Sequence, residues 1–183
     1  RLDPEVLRTF MSEYIDGMVG IVFKHNGTLD KVIGDALCIF FSAPIVQADH
    51  AQRAVDCALE LDAWSRDYVS RMNEKGILIG KTRIGVNSGQ VVVGNFGGST
   101  MFDYTAYGDT VNIAARLESI NKQLGTNICV SSQTIEKCKT FVGRPVGKLI
   151  LKGKSESTGA YEPLSETELQ SPAIEAYLKA YGL

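Results

Sequence analysis

Apolar residues recur every fourth position near the start of the chain, at Val6, Phe10, Tyr14, Met18 and Val22. That spacing lays one apolar stripe along a helix. Asp3-Pro4 supplies an N-cap and a proline at the first helical position, and Asn26-Gly27 stops the helix. The pattern then shortens to β-prone runs, Thr28–Ile33 and Ala36–Ser42, around Gly34-Asp35. Glycine and aspartate tolerate positive φ, so a tight hairpin is expected with a carboxylate at its tip.

Helical spacing returns from His50 to Glu74, with Asp49 read as its cap, Ala54, Ala58, Leu61 and Trp64 inward, and Gly76 as its stop. Strands are expected over Thr82–Val86 and Gln90–Asn95, around Asn87-Ser88-Gly89, followed by a polar glycine-rich stretch from Gly97 to Thr100. Asp109 reads as the cap of a third helix, Thr110 to Leu124, ended by Gly125. After it come a strand, Asn127–Ser131, and a short helix from Ser132 or Gln133 to about Thr140. A late hairpin follows, Val146–Leu151 with Thr158–Glu162 around Lys152-Gly153-Lys154. The polar tail from Leu164 holds one helix near Ala173–Tyr181. Helices alternate with strands joined by tight turns, which predicts an α+β fold with a mixed sheet rather than a doubly wound parallel one.

The length of 183 residues suits one domain with a core of its own. A formal net charge of -2 argues against a broad nucleic-acid footprint, though not against a local pocket for a nucleotide. Four cysteines, Cys38, Cys57, Cys129 and Cys138, lack CxxC spacing, and there are two histidines, so zinc is not expected. Small buried thiols and a reducing, cytoplasmic compartment fit this usage. No apolar run is long enough to span a membrane, and no signal peptide is visible.

Several polar residues stand where chemistry is possible. Asn112 and Arg116 are four apart, so they share a helix face near an N-terminus, where backbone N–H groups favour anions. A solvated face with Arg116 paired to an acid is the plainer alternative. Asp35 is either a solvated turn residue or a ligand. Arg83 in an apolar strand, Lys31 and the basic tip Lys152-Gly153-Lys154 are each also compatible with a solvated role. A nucleophile elbow, a P-loop and a kinase motif set are all absent from the sequence.

In order and spacing, DKVIGDALCIFF, RIGVNSGQVVVGNFG, DYTAYGDTVNIAARLE and LKGK resemble the catalytic domains of class III adenylyl and guanylyl cyclases, from about Leu2 to Glu162. The resemblance implies a ferredoxin-like α+β core with flanking helices, occupying residues 1–164, with 165–183 as a C-terminal tail. It implies a head-to-tail homodimer with two shared active sites, ATP as substrate, cyclic AMP and pyrophosphate as products, and two Mg²⁺ or Mn²⁺ ions per site. Asp35 matches a metal aspartate. Arg83 matches a polyphosphate arginine, and Lys152 the terminal-phosphate lysine. Lys31 and Thr105 match the adenine-selecting pair, and Asn112 and Arg116 the residues that position ribose and stabilise the transition state.

Lysine donates to adenine N1, where guanine presents a donor, so Lys31 favours ATP. The family's other metal aspartate lies on a strand ahead of the first helix and has no counterpart in this sequence. The expectation is that the natural protein carries that strand upstream, along with regulatory segments, and that the present chain alone is impaired and exposes sheet edges. The alternatives are a non-catalytic dimerising or nucleotide-binding module, and a guanylyl cyclase. The GG[DE]EF hairpin of diguanylate cyclases is absent.

Overall fold

The computed structural model describes residues 3–98, 100–150, 153 and 156–182. Helix α1 (Pro4–Lys24) starts as expected: the Asp3 side chain accepts from the Glu5 N–H, and proline stands in the first turn. Its apolar stripe is buried only toward the C-terminal end, at Met18, Ile21 and Val22, while Val6 stays exposed. Strands β1 (Thr28–Ile33) and β2 (Ala36–Phe40) form the expected antiparallel hairpin, with Gly34 at φ 65° in the turn.

Helix α2 (His50–Glu74) has the expected span, but Asp49 does not cap it through its side chain. That carboxylate instead accepts from Arg53 Nε at 2.7 Å, one turn along. Val55, Ala58, Leu61 and Met72 of α2 are buried, whereas Ala54 and Trp64 are half-buried. Trp64 stacks on Tyr68 at 5.0 Å and covers Gly17 of α1.

Strand β3 is short (Ile84–Val86), which leaves Arg83 just ahead of it. Strand β4 (Val92–Gly97) pairs with a strand not expected from the sequence, β5 (Phe102–Tyr107), and the Gly98 N–H donates to the Met101 carbonyl between them. Helix α3 (Asp109–Leu124) begins at Asp109, with Gly108 in the capping position, so Asp109 is a first-turn acid rather than the cap. Gly125 ends the helix in the left-handed conformation.

Strand β6 (Ile128–Ser131) runs into a helix of one turn, α4 (Ser132–Ile135), shorter than expected. The Ser131 hydroxyl caps it by accepting from the Thr134 N–H. Strands β7 (Gly143–Ile150) and β8 (Ser157–Pro163) make the late hairpin, and β7 starts three residues earlier than expected. Of its predicted tip, Lys152 and Lys154 lie outside the described residues. The tail adds a capping-box turn, α5 (Glu166–Leu169), and then α6 (Pro172–Tyr181). Helix α6 lies against β7: the Tyr177 hydroxyl donates to the Pro145 carbonyl at 2.7 Å, and the Arg144 guanidinium stacks on the Tyr177 ring at 4.5 Å.

The strands form a mixed four-stranded sheet, β3-β6-β8-β7, in which only β3–β6 is parallel, and two separate hairpins, β1–β2 and β4–β5. Alternate residues of β6 face opposite layers. Ile128 and Val130 pack with Val55 and Ala58 of α2, while Cys129 packs with Leu117 of α3 and Ala160 of β8. An α+β fold with a mixed sheet and flanking helices is therefore found, as the sequence predicted. Strand β3 and α3 approach so closely at Gly85 that a Cβ there would strike the Ala114 carbonyl and the Glu118 amide.

Candidate active site

Three neighbourhoods hold the residues singled out from sequence. The first joins the two hairpins. Lys31 Nζ on β1 lies 3.3 Å from Asp103 Oδ2 on β5 and 3.8 Å from Asp30 Oδ1. The Thr105 hydroxyl donates to Asp30 Oδ2 at 2.9 Å. Lys31 and Thr105, 74 positions apart in the chain, thus meet around one carboxylate. The Lys31 ammonium is pulled down by partial desolvation, but its hydrogen bond to Asp103 and the charges of Asp30 and Asp103 outweigh this and raise its pKa. Beneath them the Cys38 thiol is pushed up to about 11, first by burial and then by the facing Asp30 carboxylate. The side chain of Asp30 is 2% exposed and Thr105 is 3% exposed, whereas the Lys31 side chain is 37% exposed and open to a ligand.

The second neighbourhood surrounds the first hairpin's turn. Asp35 is exposed there, as the sequence predicted. Its charge reaches the Tyr14 hydroxyl on α1, whose pKa is raised by burial first and by Asp35 in addition. Tyr14 shares a hydrogen bond with the Thr82 hydroxyl at 2.8 Å, and Thr82 adjoins the exposed Arg83. Tyr14 thus links the neighbourhood of Asp35 to Thr82, the residue before Arg83.

The third lies on the first two turns of α3. Asn112 is exposed and Arg116 is half-buried one turn later, on the same face. Arg116 Nη1 is buried with no hydrogen-bond partner among the described residues. Arg116 Nη2 lies near Gly153, 3.9 Å from where a Cβ on that glycine would stand. Lys152, the remaining candidate and the residue before Gly153, lies outside the described residues. An unsatisfied buried guanidinium N–H costs about 1–3 kcal/mol, and a phosphoryl oxygen is a ligand that would satisfy it.

Among the described residues no group of three His, Cys, Asp or Glu side chains could hold a metal ion. Asp35 alone offers two oxygens, where a hard divalent cation takes about six. The described residues by themselves therefore do not make a metal site. Asp30, Asp103 and Asn121 had no place in the sequence reading. The buried Asn121 amide donates to the Ile84 carbonyl at 3.0 Å and accepts from Thr126 at 2.6 Å, tying α3 to β3. An aspartate next to Lys31 in a β-prone run was the one visible signal for the first cluster.

A model of the adenylate and guanylate cyclase catalytic domain matches residues 1–161. The chain belongs to this cyclase family. Adenylate cyclase 1 of Rhizobium meliloti is 36% identical over 160 residues, covering 87% of the chain and 24% of that protein. The adenylate cyclase of Anabaena cylindrica is 30% identical over 173 residues, covering 88% of the chain and 33% of that protein. The chain thus spans a third or less of the length of these curated relatives.

The crystal structure of the adenylyl cyclase CyaB from P. aeruginosa superposes on the cyclase domain with a TM-score of 0.81 at 31% identity, covering 91% of this chain and 86% of that one. The guanylyl cyclase Cya2 gives a TM-score of 0.77 at 30% identity, covering 90% and 84%. The class III cyclase fold is therefore established, and cyclases of both purines share it. Among the described residues no helix is long and apolar enough to cross a membrane.

Proposed function

We propose that the cyclase domain is the catalytic part of an adenylyl cyclase, converting ATP to 3′,5′-cyclic AMP and pyrophosphate. The observation that carries the choice of purine is the meeting of Lys31 and Thr105 around Asp30. Lysine donates, and adenine N1 accepts. The threonine oxygen accepts, and the adenine 6-amino group donates. Guanine reverses both polarities, and a site built on such bonds rejects the mismatched base strongly.

In the reaction the ribose 3′-oxygen attacks the α-phosphorus in line. The new O–P bond forms as the bond to the β-phosphate bridging oxygen breaks, pyrophosphate leaves, and the 3′-hydroxyl proton passes to solvent. Asn112 orients the ribose, so that the attacking oxygen is already aligned. Arg116 places its unpartnered N–H against the α-phosphoryl oxygens, where negative charge builds. Arg83 and Lys152 bind the polyphosphate. Class III cyclases generally use divalent metals. Mg²⁺ or Mn²⁺ would supply Lewis acidity, with Asp35 as one ligand and the other donors outside the described residues.

We infer a head-to-tail homodimer in which Asp35 and Arg83 of one subunit face Lys31, Thr105, Asn112 and Arg116 of its mate. Sorting of these residues into separate neighbourhoods within one chain supports this arrangement. The test is initial-rate formation of cyclic AMP by the full-length protein with Mg²⁺ or Mn²⁺, beside titration with a non-cyclisable ATP analogue. Turnover that Asp35→Ala abolishes is the expected result. Binding of the analogue with no product would contradict the assignment and favour a nucleotide-binding regulatory module.

A further inference from the structure

Strand β1 carries an irregularity at Asp30. Its pairing with β2 runs Thr28–Phe40 and Leu29–Ile39, then resumes at Lys31–Cys38, so Asp30 is the extra residue of a β-bulge. In an unbroken strand Asp30 and Lys31 would face opposite sides of the ribbon. A bulge re-aims a side chain, and here both residues reach the same neighbouring strand. Asp30 takes the Thr105 hydroxyl and Lys31 takes Asp103, and those partners stand two apart on one face of β5.

The Asp30 carboxylate is an expensive group to keep there. It is 2% exposed and faces the Cys38 thiol, a weak donor, and its Oδ1 has no full hydrogen-bond partner among the described residues, with Lys31 Nζ next to it at 3.8 Å. An apolar or hydroxyl side chain would fill a strand position at lower cost, so the charge asks for a functional account. A hydroxyl has one proton and two lone pairs, and a carboxylate only accepts. The Thr105 proton is therefore committed to Asp30, and what Thr105 presents to anything else is a lone pair.

We propose that Asp30 is a positioning residue for purine selection: its buried carboxylate fixes Thr105 as an acceptor and holds Lys31 beside it, so that the pair reads a 6-amino purine. This rests on the reading of Lys31 and Thr105 as the base-contacting residues. To meet the base, the Lys31 ammonium exchanges Asp103 for the purine. That ion pair is weakly held, since its Asp103 side chain is 55% exposed.

The test uses the full-length protein and three substrates: ATP, GTP and purine riboside triphosphate, which has no 6-substituent. The readout is the ratio of kcat/KM for ATP to that for each of the other two. Asp30→Ala is expected to lower both ratios by about tenfold, the scale of one specific hydrogen bond. Asp30→Leu, close in volume and suited to a buried site, is expected to do the same. Thr105→Val lowers the ratio to purine riboside triphosphate too, and adding Asp30→Ala to it lowers that ratio no further, because both substrates keep the N1 that Lys31 reads. If turnover is lost in both Asp30 variants, the same ratios are read from binding of non-cyclisable analogues.

Ratios within about twofold of the parent in Asp30→Leu, whatever happens to the absolute rate, would overturn the proposal. So would Asp30→Ala and Thr105→Val effects that multiply in the ratio to purine riboside triphosphate. Ratios that Thr105→Val itself leaves unchanged would instead overturn the base-contact reading beneath it.

Discussion

Arg116 holds a buried N–H that nothing in the described chain accepts, on a helix face that also presents Asn112. Such a group is prepaid for a ligand with negative charge. Arg116→Ala is expected to lower kcat by about 10²–10³ while changing KM much less, because the contact strengthens as charge builds in the transition state. Steady-state kinetics of the variant checks this, and a rise in KM at constant kcat would assign Arg116 to ground-state binding alone. The cysteines are of the opposite kind. Burial first, and then nearby carboxylates, push Cys57 up to about 12 and Cys129 to about 11. Their thiols remain protonated below those values, so the thiolate that reacts is scarce at pH 8. A thiol reagent at pH 8 is expected to leave Cys57 and Cys129 unlabelled until the protein unfolds, as read by mass spectrometry of labelled peptides.

At the scale of the element, the candidate residues Asn112 and Arg116 depend on how closely β3 and α3 approach. Gly85→Ala would drive a methyl group into the backbone of α3 at Ala114 and Glu118. Destabilisation of about 1–3 kcal/mol is expected, with a fall in turnover as Asn112 and Arg116 shift. Gly20 lies in the exposed part of α1 with nothing near its missing Cβ. Gly20→Ala should therefore stabilise by about 0.5–1 kcal/mol, since alanine restricts the unfolded chain and favours helix. Thermal unfolding of the two variants checks both signs.

Most elements were legible in the sequence because their signals are local: the four-residue stripe of α1, the Asp-Pro start, and Gly125 at the end of α3. Strand β5 was hidden because its residues, FDYTAY, run directly into the GDTVN motif of α3. The Asp49 and Asp109 caps failed for separate reasons. Arg53 competes for the Asp49 carboxylate, and Gly108 takes the capping position ahead of Asp109. For the candidate site, family resemblance supplies the residues proposed, whereas the bulge at Asp30 has no signal in the sequence. Whether a strand inserts one extra residue depends on its partner, which no local pattern records.

At the scale of the whole molecule, the proposed active site takes residues from two chains. Asp35→Ala and Arg116→Ala should each inactivate the homodimer, yet a random mixture of the two should recover about a quarter of the parent activity, because half of the dimers carry one site free of both substitutions. Co-refolding or co-expression of the two variants checks this, and an inactive mixture of confirmed heterodimers would place both residues in a site built by one chain. The fold itself is neutral about purine, since the adenylyl cyclase CyaB and the guanylyl cyclase Cya2 both superpose on it. The proposed function places substrate choice in the side chains where β1 meets β5. The most direct measurement is a competition in one vessel, with the full-length protein offered equal ATP and GTP and both cyclic products quantified. Cyclic AMP in excess of about a hundredfold is the predicted result. Cyclic GMP in equal or greater amount would contradict the assignment of Lys31 and Thr105.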